Sequence, residues 1–333
     1  KNVLTGMYLL IGVGMLGAGV FSASYALLLV FVAVQGFGAS AFYSGSYGIT
    51  ISTVPPEKRG ASSAVVTSGM ALGSMLGLGL GGALYDLADS WRVPYVIMLP
   101  PTLLVVVVMA VVIKGVPLAP KTQGGFKYLL RNRNMLALGF TSFSALYAYM
   151  VISTWGPSFL VEQRGYTLTR AGLYVSLVAA CSVAGALVWG RLSDGIGRKR
   201  LTLAMLTVSA VMVSVATVPQ STAALLGSLA AFGFFSSLAW NPIFVAWVGD
   251  HTFASGRIGM GTVMGIMNSV GISAAFVAPV VSGWISDTSG SLSWAFYVAT
   301  FVQLAGVVAA VTVKEPGAGP AANPLRTAFE ESG

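Results

Sequence analysis

The sequence predicts an all-α polytopic membrane protein, and three observations predict it: an apolar composition, apolar runs of helix-spanning length, and a one-sided distribution of basic residues. Of 333 residues, 56% are hydrophobic and 8% charged, against about 25% charged in an ordinary soluble domain. Such a chain cannot cover itself with a water-compatible surface. In a bilayer the backbone must satisfy its own hydrogen bonds, as helices or as a closed barrel. The apolar runs here are near-continuous over about 20 residues rather than alternating over about 10, so they read as helices.

Ten spans follow in order, over residues 3–21, 25–54, 61–84, 93–113, 135–157, 171–190, 201–218, 223–248, 258–284 and 294–313. If Lys1 faces the cytoplasm, 15 Lys and Arg residues fall in inner segments. Three fall outside (Arg92, Arg164 and Arg170), which completes the total of 18. This is the excess of positive charge expected of cytoplasmic loops. It also supports the span count, because removing one span would invert every later loop. The net charge of +8 is therefore a topology signal, and no nucleic-acid partner is expected.

Two stretches repeat. The first runs through Arg59-Gly60, a glycine-rich span, Asp86, Ser90-Trp91 and Tyr95-Val96. The second runs through Arg257-Ile258-Gly259, another glycine-rich span, Asp287, Ser293-Trp294 and Tyr297-Val298. The copies start six spans apart, so each half is expected to hold six spans. This divides the chain into residues 1–113 (four spans of a first half), a basic inner linker at 114–134, a complete second half at 135–313, and a flexible inner tail at 314–333. Two spans are expected to precede Lys1.

Between spans six and seven lies Gly190-Arg191-Leu192-Ser193-Asp194-Gly195-Ile196-Gly197-Arg198-Lys199-Arg200. Gly190 and Gly197 permit close approach and sharp reversal, Asp194 suits a helix N-terminus, and Arg191, Arg198 and Lys199 can pair with carboxylates or headgroups. The run resembles the cytoplasmic signature loop of the major facilitator superfamily (MFS), and Lys1-Asn2-Val3-Leu4 resembles the end of a first copy. The resemblance implies an MFS fold with ten of twelve helices present. It implies two pseudo-symmetric halves that rock about a central site, with the loop (Gly190, Arg191, Asp194, Gly197, Arg198, Lys199) latching the halves together on the inner side. A basic turn that only fixes topology is the plainer reading of the same residues.

The third span carries Gly69, Gly73, Gly77 and Gly81 at a four-residue step, a smooth ridge for close helix packing. The segment from Gly73 to Gly82 also resembles an antiporter motif, but has Leu78 where that motif has proline. Gly12-Val13-Gly14-Met15-Leu16-Gly17 matches a dinucleotide fingerprint and is rejected, because it lies inside an apolar helix with no preceding strand and Gln35 stands where an acid is needed. His251 reads as a residue of a polar inner loop and Cys181 as packing. Neither a metal site nor a cofactor is expected, and no enzymatic constellation is present.

The family resemblance places the inner helices around a cavity. Its candidate lining residues are Tyr43 and Tyr47, Phe143 and Tyr147, Trp240, Asn241 and Phe244, and Asn268. Tyrosines and phenylalanines four apart share a helix face, though such stripes also serve packing. No Asp, Glu, Lys or Arg lies deep in any span, so coupling at a rim residue such as Asp86 or Asp287 is one option. The expected function is a monomeric secondary transporter in the plasma (inner) membrane, moving a small amphipathic organic compound outward in exchange for protons. Uptake of an organic anion, and a non-transporting sensor on the same fold, are the alternatives.

Overall fold

The computed structural model describes residues 2–41, 59–112, 131–218, 221–255 and 260–314. These form twelve α-helices and no strand: α1 (Asn2–Leu16), α2 (Tyr25–Ala39), α3 (Arg59–Ala88), α4 (Arg92–Val112), α5 (Arg133–Arg164), α6 (Leu168–Ile196), α7 (Arg198–Val215), α8 (Thr222–Phe235), α9 (Ser237–Ser255), α10 (Met260–Ile272), α11 (Ala274–Ser289) and α12 (Ser293–Thr312). Each of the ten predicted spans contains helix, and eight helical stretches among the described residues are long and apolar enough to cross a membrane. The other two predicted spans differ for evident reasons. The second is described only over Tyr25–Ala39. The seventh opens on Arg198-Lys199-Arg200, which shortens its apolar stretch.

The chain divides into two compact units. One comprises Lys1–Pro120 with Leu160–Ser176, the other Lys121–Phe159 with Leu177–Gly333. The tip of the α5–α6 hairpin therefore packs with the first unit.

In the first unit, α1 runs on through a π-helical turn at Gly17–Phe21 and doubles back as α2. The rejected fingerprint glycines explain the pairing. A Cβ at Gly14 would lie 2.7 Å from both Gln35 N and Phe31 O, and one at Gly17 would lie 2.0 Å from the Phe31 ring, while Gly12 faces Leu103 of α4. All three positions are glycine because neighbouring helices occupy the space where side chains would stand. At the turn, Ser24 caps α2 by accepting from Leu27 N, and Arg92 donates to the Ser22 carbonyl at 2.6 Å.

The second unit is built around one core. Met135, Leu138 and Ala145 of α5, Leu201, Met205 and Leu206 of α7, Trp240, Ile243, Phe244 and Trp247 of α9, Val263 and Met267 of α10, and Ala310 with Val313 at the end of α12 are buried together. Deeper in the bundle α5 meets α12 closely. Thr141 Oγ1 donates to Gly306 O, and a Cβ at Gly306 would collide with Ser144 Oγ.

Candidate transport site

The inner turn between α6 and α7 is reduced to one residue. Gly197 alone leaves helical geometry, at φ +97°, a conformation that glycine adopts without a Cβ clash. Gly190 was expected to reverse the chain as well. It does not, since α6 continues as helix through Ile196 and Ser193 bonds back to the Gly190 carbonyl within it. Asp194 sits in that last helical turn, its side chain outside the described residues, and Arg191 is exposed.

Arg198 forms an ion pair with Asp250 of α9 and also donates to the Ala246 carbonyl. Lys199 Nζ donates to Val311 O and Val313 O, each at 2.7 Å. Lys199 thus supplies positive charge and donors where a helix C-terminus presents unsatisfied carbonyls. All of these partners belong to the second unit. His251 was expected in a polar loop. It lies instead inside α9 and is buried, because the helix continues past Asp250 to Ser255.

Of the candidate cavity residues, Tyr43 and Tyr47 lie outside the described residues. Trp240 and Phe244, with ring centroids 5.1 Å apart, are packed into the core just described. Trp240 is 1% exposed, and its indole donates to Thr202 Oγ1 of α7 at 2.8 Å. Helix packing thus accounts for that face of α9. Asn241, the next residue, is half-buried. Phe143 and Tyr147 form a tilted pair 6.0 Å apart. Tyr147 is buried with Ser282 of α11 beside it, while Phe143 is half-buried. Gly139 lies against Val270, and a Cβ at Gly271 would stand 2.6 Å from Ser142 Oγ. Phe143 and the half-buried Asn268 each adjoin this α5–α10 crossing in sequence.

Sequence reasoning missed the breaks in the helices around these residues. The eighth span is interrupted at Ser236, whose ψ of 174° is extended. In an unbroken helix the Phe234 carbonyl would accept from residue 238. Here the indole of Trp189 donates to it at 2.8 Å, and Gly185 lets α6 approach the same carbonyl. In α11, which runs unbroken through Pro279, Trp155 donates to the Pro279 carbonyl at 3.1 Å. Non-helical backbone at membrane depth is tolerated where protein groups satisfy it, as the Trp189 indole does at Phe234. Gln303 of α12 is fully buried, and among the described residues neither of its amide atoms has a hydrogen-bond partner.

Among the described residues nothing packs on the four-residue glycine ridge, since a Cβ at Gly69, Gly73, Gly77 or Gly81 would meet none of their atoms within 4 Å. The tight packing of α3 uses another glycine. A Cβ at Gly82 would lie 2.5 Å from Leu168 O, and one at Gly172 would lie 2.4 Å from Leu78 O. Just beyond this crossing, Asp86 accepts from both the N–H and the hydroxyl of Thr169. Among the described residues, no group of three His, Cys, Asp or Glu is placed to hold a metal.

A family model described as the Major Facilitator Superfamily matches residues 1–271 and 170–330. A hexuronate transporter of Bacillus subtilis (strain 168) is 24% identical over 90% of this chain and 76% of its own length. An MFS-type efflux pump of Mycolicibacterium smegmatis is 31% identical over 59% of this chain and 47% of its own. Among solved structures, the E. coli fucose:proton symporter FucP superposes with a TM-score of 0.65 at 15% identity, covering 95% of this chain and 84% of that one.

Proposed function

This chain belongs to the Major Facilitator Superfamily, a transporter family of multi-span membrane proteins, and from that premise we propose that it takes up a small organic anion of the sugar-acid class across the plasma membrane, driven by a proton gradient. The observation that carries the substrate class is the hexuronate transporter's alignment to 90% of this chain. Export, the first expectation, has narrower support.

Transport in this family proceeds by alternating access. In the second unit, Phe143, Asn241 and Asn268 are the residues assigned to solute contact, while the buried Tyr147 packs behind Phe143. A polyhydroxylated acid needs paired donors and acceptors, and the amides of Asn241 and Asn268 offer both, while the half-buried Phe143 ring offers an apolar face to the sugar carbons. The break at Ser236, braced by Trp189, lets the helices around it bend without exposing unpaired backbone. Arg198 and Lys199 tie the inner ends of α7, α9 and α12 together, so this part of the chain moves as a rigid body.

The test is uptake of radiolabelled glucuronate into proteoliposomes holding the purified protein, with the interior made alkaline. Saturable accumulation, abolished by a protonophore and competed by galacturonate but not by glucose, is the expected result. Absence of hexuronate transport, with movement of amphipathic cations instead, would overturn it.

Export remains a second reading because of one relative. The mycobacterial efflux pump is 31% identical over 59% of this chain, and the Gly73–Gly82 segment resembles an antiporter motif. Everted vesicles energised by respiration separate the two, because an exporter accumulates its substrate inside them and a symporter does not.

A further inference from the structure

A cavity of about 460 Å³ opens where α5 begins and α12 ends, lined by Asn132, Arg133, Asn134, Thr312 and Lys314. Side-chain amides hold its frame rigid. Asn132 Oδ1 accepts from the backbone of Asn134 at 3.0 Å and of Met135 at 3.3 Å. Asn134 in turn bonds both backbone groups of Lys314, donating to its carbonyl at 3.5 Å and accepting from its N–H at 3.3 Å. The amides of the first turn of α5 are therefore partly satisfied, and the cavity's electrostatics come from two side chains, Arg133 and Lys314.

Both cations are exposed, and among the described residues neither forms an ion pair. The negative end of α12 does not absorb them, since Lys199 already donates to Val311 O and Val313 O. Among the described residues the cavity therefore presents two positive charges without an ion-pair partner, with Thr312 beside them, its hydroxyl donating to the Ala309 carbonyl at 2.7 Å, on the side that the charge distribution assigns to the cytoplasm.

What lies below the cavity is apolar. Leu136 and Phe140 follow Arg133 on α5, and Val311 and Val308 precede Thr312 on α12, and all four are exposed. From Arg133 to Phe140 the helix descends about 10 Å, the depth over which headgroups give way to acyl chains. A cationic pocket above an apolar track between two helices matches one kind of ligand: an anion that carries hydrocarbon.

We infer that this pocket binds the headgroup of an anionic phospholipid of the inner leaflet, with Arg133 and Lys314 on its phosphate, Thr312 Oγ1 accepting from a headgroup hydroxyl, and the acyl chains along Leu136, Phe140, Val308 and Val311. Basic pockets between membrane helices on the cytoplasmic side are suited to this task. The inference concerns unit-two residues alone and does not depend on which solute is carried.

The experiment is native mass spectrometry of the full chain, released from detergent in the presence of equimolar phosphatidylglycerol and phosphatidylcholine. The expected result is preferential retention of one phosphatidylglycerol, weakened roughly ten-fold by the double variant Arg133→Gln/Lys314→Gln and left unchanged by Arg191→Gln, which removes an exposed inner cation elsewhere. Equal retention of the two lipids by the wild type would overturn the site without recourse to any variant. An equal loss in Arg191→Gln would show diffuse surface attraction and would overturn it too. Displacement of the lipid by millimolar glycerol phosphate would reassign the pocket to soluble anions.

Discussion

Asp86, in the last turn of α3, accepts the backbone N–H of Thr169 at 3.0 Å and also its hydroxyl, so a side chain from one helix caps the first turn of another 83 residues later. A carboxylate suits that place, where a helix presents unsatisfied amides and the positive end of its dipole. One turn deeper, Gly82 and Gly172 allow the two backbones to touch. The cap and the glycine crossing are one contact with a polar end and an apolar end.

Replacing Asp86 with alanine is expected to lower stability by about 1 kcal/mol, the usual scale for a lost helix cap. Asp86→Asn, which keeps an acceptor, should cost less. Gly172→Val should be worse than either, because its side chain would meet the Leu78 carbonyl. Thermal unfolding in detergent, followed by tryptophan fluorescence, ranks the three. If Gly172→Val unfolds at the wild-type temperature, the close crossing is wrong.

The pair Arg198–Asp250 is part-exposed, 23% and 44% at the two side chains. Its coupling should therefore be modest, about 0.5–1 kcal/mol, and should shrink in high salt. A double-mutant cycle with Arg198→Ala and Asp250→Ala on thermal stability measures it. Additive losses at low salt would mean that the two charges do not interact.

Trp240→Ala is expected to destabilise the second unit by about 3–5 kcal/mol through cavity formation, and it also strips Thr202 of its indole partner. The Michaelis constant for transported solute should not move in Trp240→Phe, which keeps most of the packing. A changed Michaelis constant with unchanged stability would return this side chain to the solute path.

Trp189→Phe keeps an aromatic ring against Phe234 and Phe235 but removes the donor to the Phe234 carbonyl. Leaving that carbonyl without a partner should cost about 1–3 kcal/mol. Hydrogen exchange at the start of α9 should rise, and unaltered exchange there would show that the break does not depend on the indole.

Much of the fold was legible because membrane helices announce themselves by length and by charge at their ends. The spans and their order follow from the apolar runs and from residues such as Lys58, Arg59 and Arg198-Lys199-Arg200. What periodicity cannot give is the identity of the neighbour. Trp240, Phe244 and Trp247 visibly share a face, yet whether that face meets solute or α7 is decided by residues such as Thr202, remote in sequence. The ridge from Gly69 to Gly81 had the more regular spacing, while the tight contact formed at Gly82, because Leu168 and Gly172 lie on that side. The break at Ser236 was hidden for a similar reason: the Phe234 carbonyl it frees is satisfied by Trp189, 45 residues earlier. Gly190 and Gly197 look alike as text, but only the second is followed by a new helix.

The paired bonds between Asn134 and Lys314 span 180 positions, and this sets a timetable for biosynthesis. Asn134 leaves the ribosome with α5, and its partner is not translated until five further crossings have been threaded into the bilayer. Until then the amide has only water or lipid headgroups to bond, and the membrane-insertion machinery holds an unclosed set of helices. A chain truncated before Lys314 can form neither bond, so the closure of α5 on the end of α12 belongs to the last stage of folding of this half.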